Sequence, residues 1–299
     1  MSRPIALIGA PTSAGAFAPG QEDAPAALRA AGLVDALRAA GREVHDRGDT
    51  PQFRWRVDHD EPRAMNAEAV VRGAREVAAR VEAALRAGEL ALVLGGDCTV
   101  GIGTVSGAAA AGAEPRLVYL DLHADLNTPS SVPDGALDWT GLAHMLDVPG
   151  ADPRVAGAGA RQPLLRNDDV VIVGHGPEQS TPAEAELIAT RGLATIDVAA
   201  LAADPRDAAR RALEHATAGG RPFLVHFDVD LIDFSDVPLS ENTGRGTGVP
   251  FAAALAALEA LTAGVAPLAI TVTELNPHHG APDGSDVARF AHALAGAIG

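Results

Sequence analysis

The stretch LVYLDLHADLNTP, residues 117–129, decides how this chain is read. Leu117–Leu120 is a short apolar run of the kind that forms a buried strand. Asp121, His123 and Asp125 follow it at every second residue. Side chains alternate along a strand, so a strand continuing through these residues would bring all three to one point. Two carboxylates and an imidazole at the end of a buried strand are costly to desolvate. A metal cation removes that cost, because carboxylate oxygen and imidazole nitrogen are its ordinary ligands. A solvated loop whose polar residues happen to alternate is the plain alternative for this stretch taken alone.

The same arrangement recurs elsewhere. Strands are expected over Ile5–Gly9, Glu43–Asp46, Ala91–Leu94, Leu117–Asp121, Val170–Val173, Ala194–Asp197, Phe223–Asp228 and Ala269–Glu274. Helices are expected over Ala24–Ala40, Ala64–Ala87, Thr99–Ala111, Ala183–Thr190, Asp204–Ala218, Pro250–Ala263 and Ser285–Ile298, where apolar residues recur at three- and four-residue spacing. The stretches 50–63 and 149–163 read as surface loops. Strands alternating with helices imply a parallel sheet covered on both faces. Functional groups of such sheets gather beyond the carboxyl ends of the strands. There the sequence places GGDC ending in Cys98, DLHAD from Asp121, DVD with Asp228 and Asp230, and ELNP from Glu274. Four strand ends with acidic or metal-binding residues point to one site.

Composition bounds the rest. The 299 residues are 47% hydrophobic, enough for one large α/β domain, expected here over residues 1–299. A single cysteine excludes an intramolecular disulfide. No apolar run approaches the roughly 20 residues needed to span a bilayer, and the N-terminus has no signal-peptide pattern. A soluble cytoplasmic protein with no membrane partner is the expectation. The formal charge of −16 argues against nucleic acid as a partner. It suits attraction of a cationic small molecule, although an acidic surface also serves solubility alone.

The candidate donors are Cys98, Asp121, His123, Asp125, Asp228 and Asp230. A catalytic ion takes about four protein ligands or fewer. Six donors, with carboxylates able to bridge, suit two ions roughly 3.5–4 Å apart. Mostly oxygen donors with one imidazole favour Mn²⁺, whereas a Cys98 thiolate is soft and favours Zn²⁺ or another late metal at its site.

GGDC, DLHADLNTP, DVD and TELNP, in this order, together with the opening LIGAPTSAGAFAPGQEDAPAALRAAGL, resemble the ureohydrolase (arginase/agmatinase) family over nearly the whole chain. The resemblance implies a three-layer α/β/α fold around an eight-stranded, mostly parallel sheet, two manganese ions, and homo-oligomers, commonly trimers or hexamers. It implies hydrolysis of a guanidino compound to urea and an amine, by attack of a hydroxide bridging the two metals. Carried over residue by residue, Asp121 and Asp228 would bridge the ions. Cys98 and Asp125 would complete one site, and His123 and Asp230 the other. Asp125 would also hold the attacking hydroxide and relay its proton, and Glu274 would grip the guanidinium through charge-assisted hydrogen bonds. A strand-end carboxylate that merely caps its loop is the structural alternative for Glu274.

Three departures qualify the resemblance. The family usually has histidine where this chain has Cys98. The same change is similar to an exceptional N-hydroxyarginine hydrolase in the family, which acts on a hydroxyguanidine. Arginases carry a proton-shuttling histidine after the DxHxDxNTP segment. Here an ungapped reading reaches Asp138, with Thr140 after it and His144 one helical turn further on. His144 is a candidate substitute or a packing residue. Lastly, Asn127-Thr128-Pro129 is arginase-like and Asn127 is expected at the substrate. Asp134, however, replaces a serine that meets the substrate's α-carboxylate, and a carboxylate there would repel it. His175, after its strand, could line the same pocket or be an ordinary loop histidine. ENTGRGTG, residues 241–248, reads as a flexible pocket wall. The two functions to be separated are a metal-dependent hydrolase of a guanidine, hydroxyguanidine or amidine, and a catalytically weak relative that binds a cationic ligand or serves as an assembly subunit.

Overall fold

A computed structural model describes residues 3–299. In chain order the elements are β1 (Ile5–Gly9), α1 (Ala24–Ala30), α2 (Leu33–Ala39), β2 (Val44–Asp49), α3 (Ala67–Arg86), β3 (Leu90–Leu94), α4 (Val100–Ala110) and β4 (Arg116–Leu120). The short α5 (Gly141–Met145) and α6 (Pro153–Ala156) come next, then β5 (Val170–His175), α7 (Pro182–Arg191), β6 (Ala194–Asp197), α8 (Val198–Ala203) and α9 (Pro205–Ala216). The chain closes with β7 (Phe223–Asp228), α10 (Phe251–Thr262), β8 (Ala269–Thr273) and α11 (Ser285–Ile298). The eight strands form one sheet in the order β2-β1-β3-β8-β7-β4-β5-β6. Every neighbouring pair is parallel, so the expected mostly parallel sheet is parallel throughout.

Alternation along the strands sorts the core into two layers. Val118 and Leu120 of β4 join Leu28, Leu258 and Phe290 on one face. Leu117 and Tyr119 join Val70, Val77 and Ile102 on the other. Both faces are apolar because helices cover both, so the strands read as continuous hydrophobic runs rather than as alternating ones.

Three expectations are corrected. The helix expected over Ala24–Ala40 is two, because Gly32 adopts φ 86° and starts α2 in a new direction. The surface loop expected over 149–163 contains α6, started by Asp152 accepting from the Arg154 backbone N–H and by Pro153 in the first turn. The strand expected to run through Asp121 stops at Leu120. The alternation argument for Asp121, His123 and Asp125 therefore does not hold, and another device brings these residues together.

Candidate metal centre and active site

Cys98 follows β3, Glu274 follows β8, Asp228 ends β7 and Asp121 follows β4. These strands are four consecutive neighbours at the middle of the sheet. Residues far apart in sequence thus reach one spot beyond the strand ends.

The local device is a turn. Asp121 Oδ1 accepts from the backbone N–H of His123 at 2.6 Å, and Asp228 Oδ1 accepts from that of Asp230 at 2.6 Å. An aspartate that bonds the amide two residues on folds its own chain back. This, rather than strand alternation, explains the two-residue spacing of both motifs. Asp125 is placed by a left-handed backbone, φ 49°, and Glu274 by another, φ 62°. Such conformations are uncommon for residues other than glycine and concentrate at functional sites.

Two tight groups of donor atoms result. Atoms of Cys98, Asp121, His226 and Asp228 lie within 4.8 Å of one another, and so do those of Asp121, His123 and Asp230. Asp121 belongs to both. Cys98 Sγ is 2.9 Å from Asp228 Oδ2 and 3.3 Å from His226 Nε2. His123 Nδ1 is 2.9 Å from Asp230 Oδ2. Asp125 stands outside both groups, with its Oδ2 accepting from Tyr119 Oη at 2.5 Å. It still lines the cavity beside them.

The electrostatics fit a cation. Burial, then Asp230, raises the Asp121 carboxyl to about 7. Burial, then Asp230 and Asp121, pushes Asp228 well above the ordinary carboxylate range. Burial, then Asp228, raises the Cys98 thiol. Burial opposes charge on His123 as well, but Asp230 and Asp121 hold its imidazole well above the usual value. Asp121 Oδ2 and Asp230 Oδ1 are buried oxygens with no hydrogen-bond partner, an expensive state unless something positive meets them. The donor types, the crowding of negative charge and these orphaned oxygens all fit metal ions.

A cavity of about 410 Å³ opens over the groups, the size of a small-molecule site. Its walls include Asp125, Asp134, Asp138, Glu184, Glu241 and Glu274, with Asp228 and Asp230 at the metal groups, and neither arginine nor lysine. Asn127 lines it too, its Oδ1 accepting from Thr181 Oγ1 at 2.8 Å and its Nδ2 buried without a partner. Glu274 Oε1 accepts from the Cys98 N–H at 2.7 Å, and Oε2 accepts from Gln21 Nε2. Burial, then Asp138 and Asp97, raises its carboxyl well above the ordinary range. Asp138 is raised in the same direction, by burial and then by Asp97. The 241–243 segment forms part of the wall, as expected, with Asn242 Nδ2 3.4 Å from His123 Nε2.

Two expected site residues fall elsewhere. His144 is buried in α5, outside the cavity lining. Its Nδ1 bonds the Thr140 carbonyl at 2.7 Å and its Nε2 accepts from the Asp152 N–H at 3.0 Å. Both nitrogens are committed to fixing the local chain, so it does not replace a shuttle histidine. His175 is also buried and absent from the lining, with Nε2 2.7 Å from Ser180 Oγ. The sequence reading missed His226, Tyr119 and Gln21. A signal for His226 existed: it stands two residues before Asp228 on β7, on the same strand face. Gln21 gave none, since it meets Glu274 across 253 residues of chain.

The arginase family model matches residues 3–298, and the chain belongs to the arginase family, whose members are hydrolases acting on amidine C–N bonds. Arginase-1 of Xenopus laevis is 33% identical over 78% of this chain and 74% of its own length. The arginase of Bacillus caldovelox superposes with a TM-score of 0.86 at 25% identity, covering 99% of this chain and 98% of that one. The formimidoylglutamase of Bacillus subtilis shares the fold, with a TM-score of 0.74 at 17% identity over 99% of this chain and 86% of that one.

Proposed function

We propose that this member of the arginase family hydrolyses a guanidino or related amidine compound whose far end bears no carboxylate, releasing urea or a urea analogue and an amine. The observation behind this reading is the cavity itself: two donor groups sharing Asp121 at its floor, and walls rich in carboxylates with neither arginine nor lysine. Cys98, Asp121 and Asp228, with Asp125 beside them, would hold one metal ion, and Asp121, His123, Asp228 and Asp230 a second, with manganese the best match for the oxygen-rich half. Paired ions, when bound, supply a water ionised at neutral pH as the nucleophile.

The chain's own residues do the rest. Each Glu274 oxygen accepts one protein N–H and keeps a second lone pair, so the carboxylate can still receive two guanidinium N–H groups. The backbone at residue 274 is left-handed, and the Glu274 side chain lines the cavity. Asp138 takes the place of the shuttle histidine. Burial, then Asp97, raises its carboxyl well above the ordinary range and so favours the protonated form, and it lines the cavity. It is therefore able to protonate the departing amine. Asp134, at the mouth, favours a cationic distal group over a carboxylate.

A urea-release screen of the manganese-loaded protein tests this, with each guanidino amino acid paired with its decarboxylated amine and a hydroxyguanidine included. The reading expects kcat/KM for the amine to exceed that for the amino acid by about tenfold or more. Preference for the amino acid overturns the carboxylate argument, and no C–N cleavage in any compound overturns the hydrolase reading.

A further inference from the structure

The residue that the family resemblance did not foresee is His226, and its surroundings are built for it. The ring lies flat on Tyr119, with centroids 4.2 Å apart and planes 6° from parallel. On its far edge is Gly101 of α4, where a Cβ would stand 2.8 Å from His226 Nδ1. Glycine inside a helix is unfavourable relative to alanine, and here it leaves the space that the imidazole occupies. Held between Tyr119 and α4, the ring turns Nε2 to within 3.3 Å of Cys98 Sγ and 3.1 Å of Thr273 Oγ1.

From this placement we infer that His226 is a metal ligand. With Cys98, Asp121 and Asp228 it makes one half of the centre a four-donor site of thiolate, imidazole and two carboxylates that prefers a late divalent ion such as zinc. The other half, around His123 and Asp230, keeps the donor character that suits manganese. A sulfur about 2.3 Å and a nitrogen about 2.0–2.1 Å from one ion in a tetrahedral array stand roughly 3.5 Å apart, and the Sγ to Nε2 separation of 3.3 Å lies within a few tenths of an ångström of that. Asp121 Oδ2, fully buried and without a partner, is a carboxylate oxygen of the same group left for the ion. Sulfur and nitrogen donors raise affinity for zinc over manganese, which stands first and weakest in the divalent series. The cysteine that replaces the usual histidine is thus accompanied by a histidine arriving from β7, across β8. Binding takes the proton from the Cys98 thiol and leaves that of the neutral imidazole on Nδ1.

The test is metal binding, so its failure would leave the hydrolase reading untouched. Chelator-stripped protein is loaded with one equivalent of zinc and its X-ray absorption recorded at the zinc edge. The proposal requires one sulfur at about 2.3 Å and one imidazole nitrogen at about 2.0–2.1 Å. Cys98→Ser removes the sulfur. His226→Ala removes the imidazole and weakens zinc at least about tenfold, while manganese binding to the other half moves less. Should His226→Ala fold poorly, the spectrum of the unaltered protein still decides, since it reads sulfur and imidazole together. Zinc without sulfur, or sulfur without imidazole, overturns the proposal. So does a His226→Ala protein that folds and binds zinc as tightly as the unaltered chain.

Discussion

The two donor groups of the centre have Asp121 in common and differ in their surroundings. On one side Cys98, His226 and Asp228 are buried, enclosed by Tyr119, Thr273 and α4. On the other, the His123 side chain keeps 22% of its exposure and touches Asn242 of the glycine-rich wall. The closed half is soft in its donors and fixed by packing. The open half is hard in its donors and faces the cavity. Both halves reach the cavity, through Cys98 and Asp228 on one side and His123 and Asp230 on the other, but their donors differ, so substitutions can alter metal preference in one half without the other.

The largest effect is expected where that separation is impossible. Asp121→Asn removes a charge common to both groups. It should cut metal content in both halves and lower kcat/KM by on the order of a thousandfold or more, since even outer partners of ligands cost 10–100-fold. Metal analysis alongside kinetics checks it, and loss confined to one half would show that Asp121 is not shared.

Next comes Glu274→Gln, which keeps the shape and one acceptor oxygen but removes the charge that meets the guanidinium. Turnover should fall about 10²–10³-fold with both metals retained. Full activity would make Glu274 a loop brace tied to the Cys98 and Gln21 donors.

Asp138→Asn acts from the cavity wall. General acids contribute about 10²–10⁴-fold. The folded pKa of Asp138 is raised, so the protonated donor is present below that value and its contribution is lost as pH rises through it. The unaltered protein should show a falling alkaline limb in kcat that the variant lacks, and an identical limb in both would remove Asp138 from the proton path.

The smallest change is Asp134→Ser at the mouth, expected to shift the amine-to-amino-acid preference by about tenfold and to leave both metals in place. Unchanged selectivity would mean that Asp134, whose Oδ1 already accepts from the Ala136 N–H, does not meet the substrate.

What the sequence disclosed follows from the same contrast. Strand ends were legible because a buried parallel strand is an unbroken apolar run, and its termination in Cys98, Asp121, Asp228 or Glu274 is abrupt. His226 was hidden for the converse reason: it lies inside FLVHFD, where a single histidine in a hydrophobic run reads as packing. The spacing of Asp121 and His123 has another cause than the one assigned to it: an aspartate turn, not strand alternation, brings them together, while a left-handed backbone sets Asp125 apart from both donor groups. Gly32 was read as helix interior because period alone does not reveal a positive φ. His144 has helical spacing that suits a functional face, yet its hydrogen bonds commit it to the backbone.

The position of β8 has a consequence for how the molecule holds together. It comes last in chain order among the eight described strands, yet it lies between β3 and β7, which pair with it and not with each other. Without β8 the sheet falls into two part-sheets, β2-β1-β3 and β7-β4-β5-β6, each with an edge that β8 covers. Such edges invite pairing with other chains. The strand that completes the sheet thus also carries the carboxylate that reaches Cys98 and Gln21, so whatever loosens β8 loosens both.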